Sequence, residues 1–520
     1  MSRINTNVPS LIAQRVLTQN RDALNQSLQR LSTGLRINSG KDDPAGLIAS
    51  NSLKAQQSGL NAAISNADRA DQVANIAEGG LDEVSSLLNQ VQGLVTQTAN
   101  TAGLSKDEKQ ANQLQIDSIL QTIDRVSSAT SFQGTKLLNG NFDFATSQVS
   151  AQVSSYKVNG AKLSYNGNLS VNVVVTASAQ VGGFFLSFGA NNLNLGGAGA
   201  SDGAGKTFVV EIAGAKGSRE LSFASGTSLA DVVTAVNSYT DITGVKAKVS
   251  GTTGLRLSSA DYGSDQFVSV KVTSDGSIAS TAKGIYNLQS GNAGAADTSS
   301  VTTFSAASNA VKDSGQDVKA TVNGINATSR GTTIRVNTDF VDTEINLAYN
   351  TTASTANAAK LGSLNAFKIT GGGADFQLAG NVDISGKVSL GIADTSVRAM
   401  GSFTDSSGAS YTLQDLASGR GLNLVDGDTS KAQSVIQAAI NQVSSIRGRI
   451  GSFQQNTIGS TVRSLNVALE NTTAAQSAIA DVDFASETAN LTRSQILTSS
   501  AQQILSLANQ QPQSALQLLG

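Results

Sequence analysis

The chain has 520 residues, a formal net charge of -2 and a charged fraction of only 14%. It contains no Cys, His or Trp, which excludes disulfides, thiolate metal sites and acid–base chemistry that depends on histidine. The near-neutral charge offers no basic surface for nucleic acid. The amino terminus does not resemble a secretory signal peptide, and no apolar run approaches the ~18 residues of a membrane span. We therefore expect no nucleic-acid or membrane partner, no cofactor and no metal.

A leucine stripe marks the first predicted helix. Leu17, Leu24 and Leu31 recur every seven residues, and Leu28 and Leu35 form a second row beside them. A stripe this narrow needs a partner helix to cover it. The same four-three-four spacing recurs near the other end of the chain, at Leu497, Ala501, Ile504 and Ala508. The simplest interpretation is that the two chain ends pack together.

Capping signals indicate where the next two helices begin. Asp43 and Pro44 start a long helix that runs through Thr98, and Ser105 with Glu108 forms a capping box for another helix. The apolar spacing that indicates the first of these helices is carried by Val73, Ile76, Val84, Leu87, Val91 and Leu94, and that of the second by Leu114, Ile119, Ile123 and Val126.

The middle of the chain indicates β structure. Residues 131 to 140 predict a strand and a turn ending at Asn139-Gly140. From about Val149 to Met400, short β-branched and aromatic runs alternate with Gly, Ser, Asn and Asp clusters, with one helix capped by Ser228. From Asp426 the pattern is helical again. The sequence therefore predicts an α + β multidomain protein, in which a helical bundle from both termini carries a β-rich insertion.

Catalytic interpretations find little support. Residues 200 to 207 fit a relaxed phosphate-loop pattern, but Ala200 replaces the first Gly and the following run predicts a strand, where a phosphate loop needs a helix. The carboxylate pairs lie where helices start, so capping explains them more simply than acid–base chemistry does. These pairs are Asp42 with Asp43 and Asp481 with Asp483. We expect no enzymatic activity.

Several motifs at both ends resemble those of bacterial flagellin, the filament subunit. At the amino-terminal end they are RLSTGLRINSGKDDPAGL at residues 30–47, IDRV at 123–126 and FQGTKLL at 132–138. At the carboxyl-terminal end they are IADVDFASE at 479–487, ANQQPQS at 508–514 and the closing pair Leu518-Leu519. Within the middle, residues 322–329 and the helix near 227–237 resemble modules inserted in flagellins and hook-associated proteins.

The resemblance implies a layered architecture. Residues 1–42 with 477–520 would form the inner helices of the filament core. Residues 43–148 with 405–476 would form a second-layer helical bundle with a β-hairpin. Residues 149–404 would form a variable β-rich outer region with two subdomains. The leucine and alanine rows named above, together with Leu518 and Leu519, would then be subunit-packing residues.

The implied function is a structural subunit that self-assembles into the bacterial flagellar filament for swimming motility. The resemblance also implies export to the cell exterior without a cleaved signal peptide. It implies an export chaperone, the filament cap and hook-associated proteins as partners. Some flagellins carry a zinc protease, but that site needs two His residues and this chain has none. A hook-filament junction protein and a surface adhesin remain as alternatives.

A host Toll-like receptor is a further partner that the resemblance implies. The family's receptor contacts centre on an Arg, a Leu and a Glu, and the matching positions here are Gln90, Leu94 and Gln115. Losing both charges removes charge-assisted hydrogen bonds worth about 1.5–3 kcal/mol each. We therefore expect weak receptor activation, unless a neighbouring polar residue such as Gln92 or Asn112 compensates.

Overall fold

The protein was analysed as a computed structural model that describes residues 6–100, 103–164, 167–195, 206–278, 283–289, 292–348, 361–404 and 409–517. The α-helices are α1 (Val8–Thr33), α2 (Pro44–Thr98), α3 (Lys106–Ala129), α4 (Leu229–Asn237), α5 (Thr240–Thr243), α6 (Thr429–Ser452), α7 (Gly459–Ala480) and α8 (Phe484–Gln517). Among these described residues, no helix is long and apolar enough to cross a membrane. The predicted combination of terminal helices and a β-rich middle is confirmed.

Strands fill the middle of the chain. The first twelve are β1 (Ser131–Phe132), β2 (Thr135–Lys136), β3 (Phe144–Ser147), β4 (Val153–Ala161), β5 (Leu169–Ala177), β6 (Gly183–Ser187), β7 (Thr207–Gly214), β8 (Gly217–Ala224), β9 (Val245–Ser250), β10 (Gly254–Ser259), β11 (Phe267–Asp275) and β12 (Gly284–Gln289). The others are β13 (Asn292–Ala296), β14 (Val311–Ser314), β15 (Lys319–Val322), β16 (Ile325–Asn326), β17 (Thr328–Arg330), β18 (Thr333–Asn337), β19 (Val341–Leu347), β20 (Gly362–Gly372), β21 (Ala374–Gln377), β22 (Lys387–Leu390), β23 (Phe403–Thr404) and β24 (Ser410–Tyr411).

The chain divides into two compact units. Unit 1 comprises residues 1–78, 376–388 and 447–520, and unit 2 comprises residues 79–375 and 389–446. Unit 1 is mainly helical and contains both α1 and α8. Unit 2 contains α3, the strands of the middle region and their helices.

Local signals set the helix boundaries in unit 1. The Asn7 side chain accepts a hydrogen bond from the Ser10 amide at the start of α1, and Gly34 ends α1 in the left-handed conformation at φ +71°. Asp43 accepts from the Gly46 amide at 2.9 Å, so the predicted cap of α2 is confirmed.

A π-helical turn joins α6 to α7. It covers Phe453–Ile458, and Gln454 donates to Asp71 and to Asn75 of α2, both at 2.9 Å. A π turn inserts one extra residue into the helix, and the buried stripe accordingly jumps five residues from Phe453 to Ile458. The three- and four-residue spacing then resumes towards Leu465.

Two expectations for unit 2 are corrected. Leu114 is 68% exposed, and the inward stripe of α3 contains Ile116, Leu120 and Ile123 instead. The β1–β2 hairpin turns at Gln133-Gly134, not at Asn139-Gly140. Its two turn residues have positive φ angles, which is the backbone that matches the right-handed twist of the strands.

The β structure of unit 2 forms two sandwiches of antiparallel sheets. Module A (residues 183–314) stacks sheet β13-β12-β6-β10-β9 and sheet β14-β11-β7-β8 over a core that includes Phe184, Phe188 and Phe208. Module B (residues 144–179 and 318–372) is built from sheets β16-β15-β5-β20-β3 and β17-β18-β19-β4, around a second core that includes Phe367. Ser228 caps α4 in module A, as the sequence predicts.

Candidate assembly interface

Helices α1 and α8 form an antiparallel pair with a regular seam. Along α1 the seam residues follow a three-four repeat, and they are Ser10, Ala13, Leu17, Asn20, Leu24, Ser27 and Leu31. Along α8 they are Glu487, Leu491, Ser494, Thr498, Ala501, Leu505 and Ala508. The spacing is that of a two-stranded coiled coil, but nine of the fourteen positions hold small or polar side chains. Such a seam lets the helices approach closely while burying little apolar surface.

Polar contacts fix the register of this pair. The Asn7 amide donates to the Ala508 carbonyl at 2.8 Å, and the Ser10 hydroxyl donates to the Asn509 side chain at 2.7 Å. Further along α1, the Asn20 side chain donates to the Leu497 carbonyl at 3.3 Å. Because the Ser10–Asn509 hydrogen bond joins two side chains, sliding the helices by one turn would break it.

An ion pair lies at the opposite end of the seam. The Arg30 guanidinium lies 3.7 Å from the Glu487 carboxylate, whose side chain is 8% exposed. Burial of this carboxylate would be costly without the neighbouring cation. Arg30 and Glu487 both belong to the motifs by which the sequence resembles flagellin, so the pair gives these two motif residues a structural role.

The loop after α1 is tied to the turn between α7 and α8. The Arg36 amide donates to the Ala480 carbonyl at 2.7 Å, and the Val482 amide donates to the Gly34 carbonyl at 3.0 Å. Within the loop, the Asp42 carboxylate accepts hydrogen bonds from Ser39, which lower the pKa of Asp42. The two chain ends are therefore joined at the base of the seam as well as along it.

The outer faces of α1 and α8 carry large apolar side chains. Those exposed to solvent are Val8, Leu11, Ile12, Val16, Leu28, Phe484, Ile496, Leu497, Ile504 and Leu507. Pro9, Ile12, Val16 and Ile504 line an open apolar groove of about 330 Å³ together with two seam alanines. Contiguous apolar surface of this kind is typical of interaction sites.

The structure separates the sequence-predicted packing residues into two sets. Leu17, Leu24, Leu31, Ala501 and Ala508 lie in the seam, which supports the interpretation that the chain ends pack together. In contrast, Leu28, Leu497 and Ile504 face outward and are 47%, 45% and 58% exposed. The expectation that all four residues of the α8 row share one seam is therefore wrong.

Three predicted packing positions belong to neither set. Leu35 lies beyond α1 and forms an isolated β-bridge with Asp481. Leu518 and Leu519 lie outside the described residues. Leu11, Ile12 and Leu507 of the outward apolar row can be seen in the sequence. Because this row has the same periodicity as the seam, the sequence does not distinguish the two rows.

The receptor-contact positions lie on α2 and α3. Gln90 and Gln115 are exposed, and Leu94 is partly exposed. Asn112 is buried, and its amide donates to the Thr98 hydroxyl at 3.1 Å. Its side chain is therefore occupied inside the helical bundle and cannot replace a lost surface charge.

The two carboxylates just before α8 form local hydrogen bonds. Asp483 accepts from the Ala485 amide at 3.0 Å, and Asp481 accepts from the Ser477 hydroxyl at 2.6 Å. No group of three or more Asp or Glu side chains that could hold a metal ion occurs among the described residues.

Comparison with known proteins agrees with this architecture. The model of the bacterial flagellin N-terminal helical region matches residues 4–143, and that of the C-terminal helical region matches residues 433–519. The B-type flagellin of Pseudomonas aeruginosa is 30% identical, and the alignment covers 99% of each chain. The chain belongs to the bacterial flagellin family. It is a structural subunit of the flagellar filament and not an enzyme.

Other comparisons add detail to this assignment. The polar flagellin F of Vibrio parahaemolyticus is 44% identical over 148 residues, which cover 28% of this chain and 39% of that protein. The flagellin hook IN motif matches residues 207–261, in module A, and confirms the resemblance seen near residues 227–237. A solved structure of FliC from Burkholderia pseudomallei covers 74% of this chain and 99% of that chain at 14% identity and a TM-score of 0.22, which is too low to support an argument.

Proposed function

We propose that this flagellin polymerises into a helical filament through the outward apolar face of the α1–α8 pair. The proposal rests on the difference between the two rows of residues on each helix, the seam row and the outward apolar row. Most seam positions hold small or polar residues, whereas ten large apolar residues of the two helices remain exposed. Assembly would remove that apolar surface from water at about 25 cal/mol per Å².

The proposed layers follow from this assignment. Residues 1–42 with 477–520 form the inner layer, residues 43–148 with 405–476 form the second layer, and residues 149–404 lie outside. The weak intrachain seam supports a further inference, that α1 and α8 are incompletely ordered before assembly and fold on binding. The chain passes through an export channel before it assembles. The export chaperone, the filament cap and the hook-associated proteins are its partners on that route.

Charge substitution on the outer face tests the assembly proposal. Ile504→Asp places a charge on exposed surface of the isolated subunit, so the soluble subunit remains, but it buries an unpaired charge in the filament. We expect no filaments by negative-stain electron microscopy under conditions where the intact protein polymerises. Deletion of residues 497–520 and the double variant Leu28→Asp, Leu35→Asp are expected to have the same result.

Gln502→Asp is the matched control. Gln502 is an exposed neighbour in α8 that lies in neither the seam nor the apolar row. We expect this variant to form filaments, because it adds the same charge to an already polar face. Normal filaments from Ile504→Asp would contradict the proposed face. Short rings from the intact protein would instead favour a hook-filament junction protein, and absence of assembly would favour an adhesin.

Weak activation of a host Toll-like receptor is also proposed. Gln90 and Gln115 present exposed amides where the family has charged contacts, and Leu94 supplies partly exposed apolar surface. Losing even one charge-assisted hydrogen bond would weaken binding about tenfold. In a reporter-cell assay on monomeric protein, Gln90→Arg with Gln115→Glu should raise potency. Potency of the unmodified protein equal to that of a strongly stimulatory flagellin would refute the idea.

A further inference from the structure

The two sheets of module A differ in the charges on their outer faces. Lys246, Lys248 and Arg256 project from sheet β13-β12-β6-β10-β9, and no strand of that sheet contains Asp or Glu. Their neighbours along each strand, such as Ala247 and Leu255, belong to the module core, which places the three cations on the opposite face. On the other sheet, Glu211 lies beside Lys271 and Glu220 is directly opposite Glu211, so that face carries both signs.

The three cations form a repulsive cluster. Arg256 of β10 is directly opposite Lys248 of β9, and Lys246 is two residues from Lys248 on the same face. Like charges placed directly opposite each other on neighbouring strands destabilise a sheet. Neither lysine forms an ion pair with any residue in the described ranges. This face therefore attracts anions that the module itself does not supply.

Arg256 lacks one of its possible hydrogen bonds within module A. Its Nε atom is buried and has no hydrogen-bond partner among the described residues. Burial lowers the pKa of Arg256, and the nearby Tyr262 partly opposes that effect. A buried donor without an acceptor costs stability, and the guanidinium of Arg256 forms no ion pair with a carboxylate in the described ranges.

An aromatic ring lies in the same row of the sheet. The cross-strand row continues from Arg256 to Phe185 of β6 and then to Tyr286 of β12. Phe185 is buried, whereas Tyr286 is partly exposed at the far end. Strands are spaced about 4.8 Å apart, so the row from Lys248 to Tyr286 spans about 14 Å. It combines cations at one end with a flat apolar ring at the other.

We propose that this face binds an acidic polysaccharide, a chain of sugar rings bearing sulfate or carboxylate groups. The anions would pair with Lys246, Lys248 and Arg256, and the apolar face of a sugar ring would lie against Tyr286. A nucleic acid fits less well, since this row offers a single, partly exposed ring for base stacking.

Binding of a heparin oligosaccharide to the full-length monomer tests the proposal, independently of filament formation. We expect salt-dependent binding by calorimetry, with neutral dextran of similar length not binding. Lys246→Gln with Lys248→Gln should weaken heparin binding at least tenfold and reduce the salt dependence by about two ions. Because both side chains are exposed and mutually repulsive, the thermal unfolding temperature should not fall.

Lys271→Gln with Lys312→Gln is the matched control, since it removes the same charge from the other sheet of module A. This control should bind heparin as the unmodified chain does. The proposal is overturned if the control loses as much affinity as the test variant, or if the test variant binds normally. It is also overturned if the intact chain shows no salt-dependent heparin binding, or if double-stranded DNA binds as tightly as heparin.

Discussion

Ile504→Ala isolates the contribution of the outward row to filament stability. Ile504 is 58% exposed in the subunit, and the substitution removes three carbon atoms. At about 0.8 kcal/mol per buried carbon, the exposed share amounts to about 1.4 kcal/mol per subunit. The higher helix propensity of Ala offsets a few tenths of that. Because about 1.4 kcal/mol corresponds to a factor of ten, we expect the critical concentration for polymerisation to rise about five- to tenfold.

Sedimentation of filaments over a dilution series measures the critical concentration directly. Gln502→Ala is the control, since it shortens an exposed polar neighbour and should leave the critical concentration within about twofold of the unmodified value. A critical concentration for Ile504→Ala that matches this control would refute the reasoning. It would show that the outward row of α8 stays exposed after assembly.

Three further predictions concern other parts of the chain. Removal of residues 160–400 should leave assembly intact but give thinner filaments in electron micrographs, and a folded variant that cannot polymerise would contradict this. Arg30→Met should leave the buried Glu487 carboxylate without its cation, so we expect slower or absent polymerisation by light scattering, partly restored by also changing Glu487→Gln. Hydrogen bonds from Ser105 lower the pKa of Glu108. The capping box should therefore stabilise α3 at pH values above the ordinary glutamate pKa, and this stabilisation should be lost as the pH falls through the lowered pKa. Glu108→Gln should reduce the pH dependence of the thermal unfolding temperature.

Local signals were sufficient to predict most helix boundaries. Asp43, Ser105 and Ser228 each form the cap that the sequence predicts, because a cap depends on residues within one turn of it. The pairing of the chain ends was also predictable, since a narrow stripe on each end requires cover. These features depend on spacing, which the sequence states directly.

The spacing does not predict which row of residues faces the partner helix and which faces solvent. Ala501 and Ile504 are three residues apart and fit the same repeat, yet Ala501 faces α1 and Ile504 faces solvent. The close approach set by the Asn7 and Ser10 hydrogen bonds favours small side chains in the seam and leaves the larger ones outside. In an assembling protein, large apolar residues can therefore mark the contact between molecules instead of the core within one.

The π turn between α6 and α7 has a signal in the sequence. The apolar spacing is five residues between Phe453 and Ile458, in a helix that otherwise keeps to three and four. A single five-residue step is the signature of an inserted residue. Its exact place also depends on the Gln454 contacts with α2, which only the tertiary structure reveals.

Thiol protection tests the central claim most directly, because the natural chain has no Cys and every introduced thiol is unique. Val16→Cys and Ile504→Cys should react rapidly with a maleimide dye in the monomer and at least tenfold more slowly in intact filaments. Ser218→Cys, on the exposed strand β8 of module A, should react equally fast in both states. Equal labelling of Ile504→Cys in monomer and filament would contradict the assignment of the α1–α8 outer face as the assembly interface.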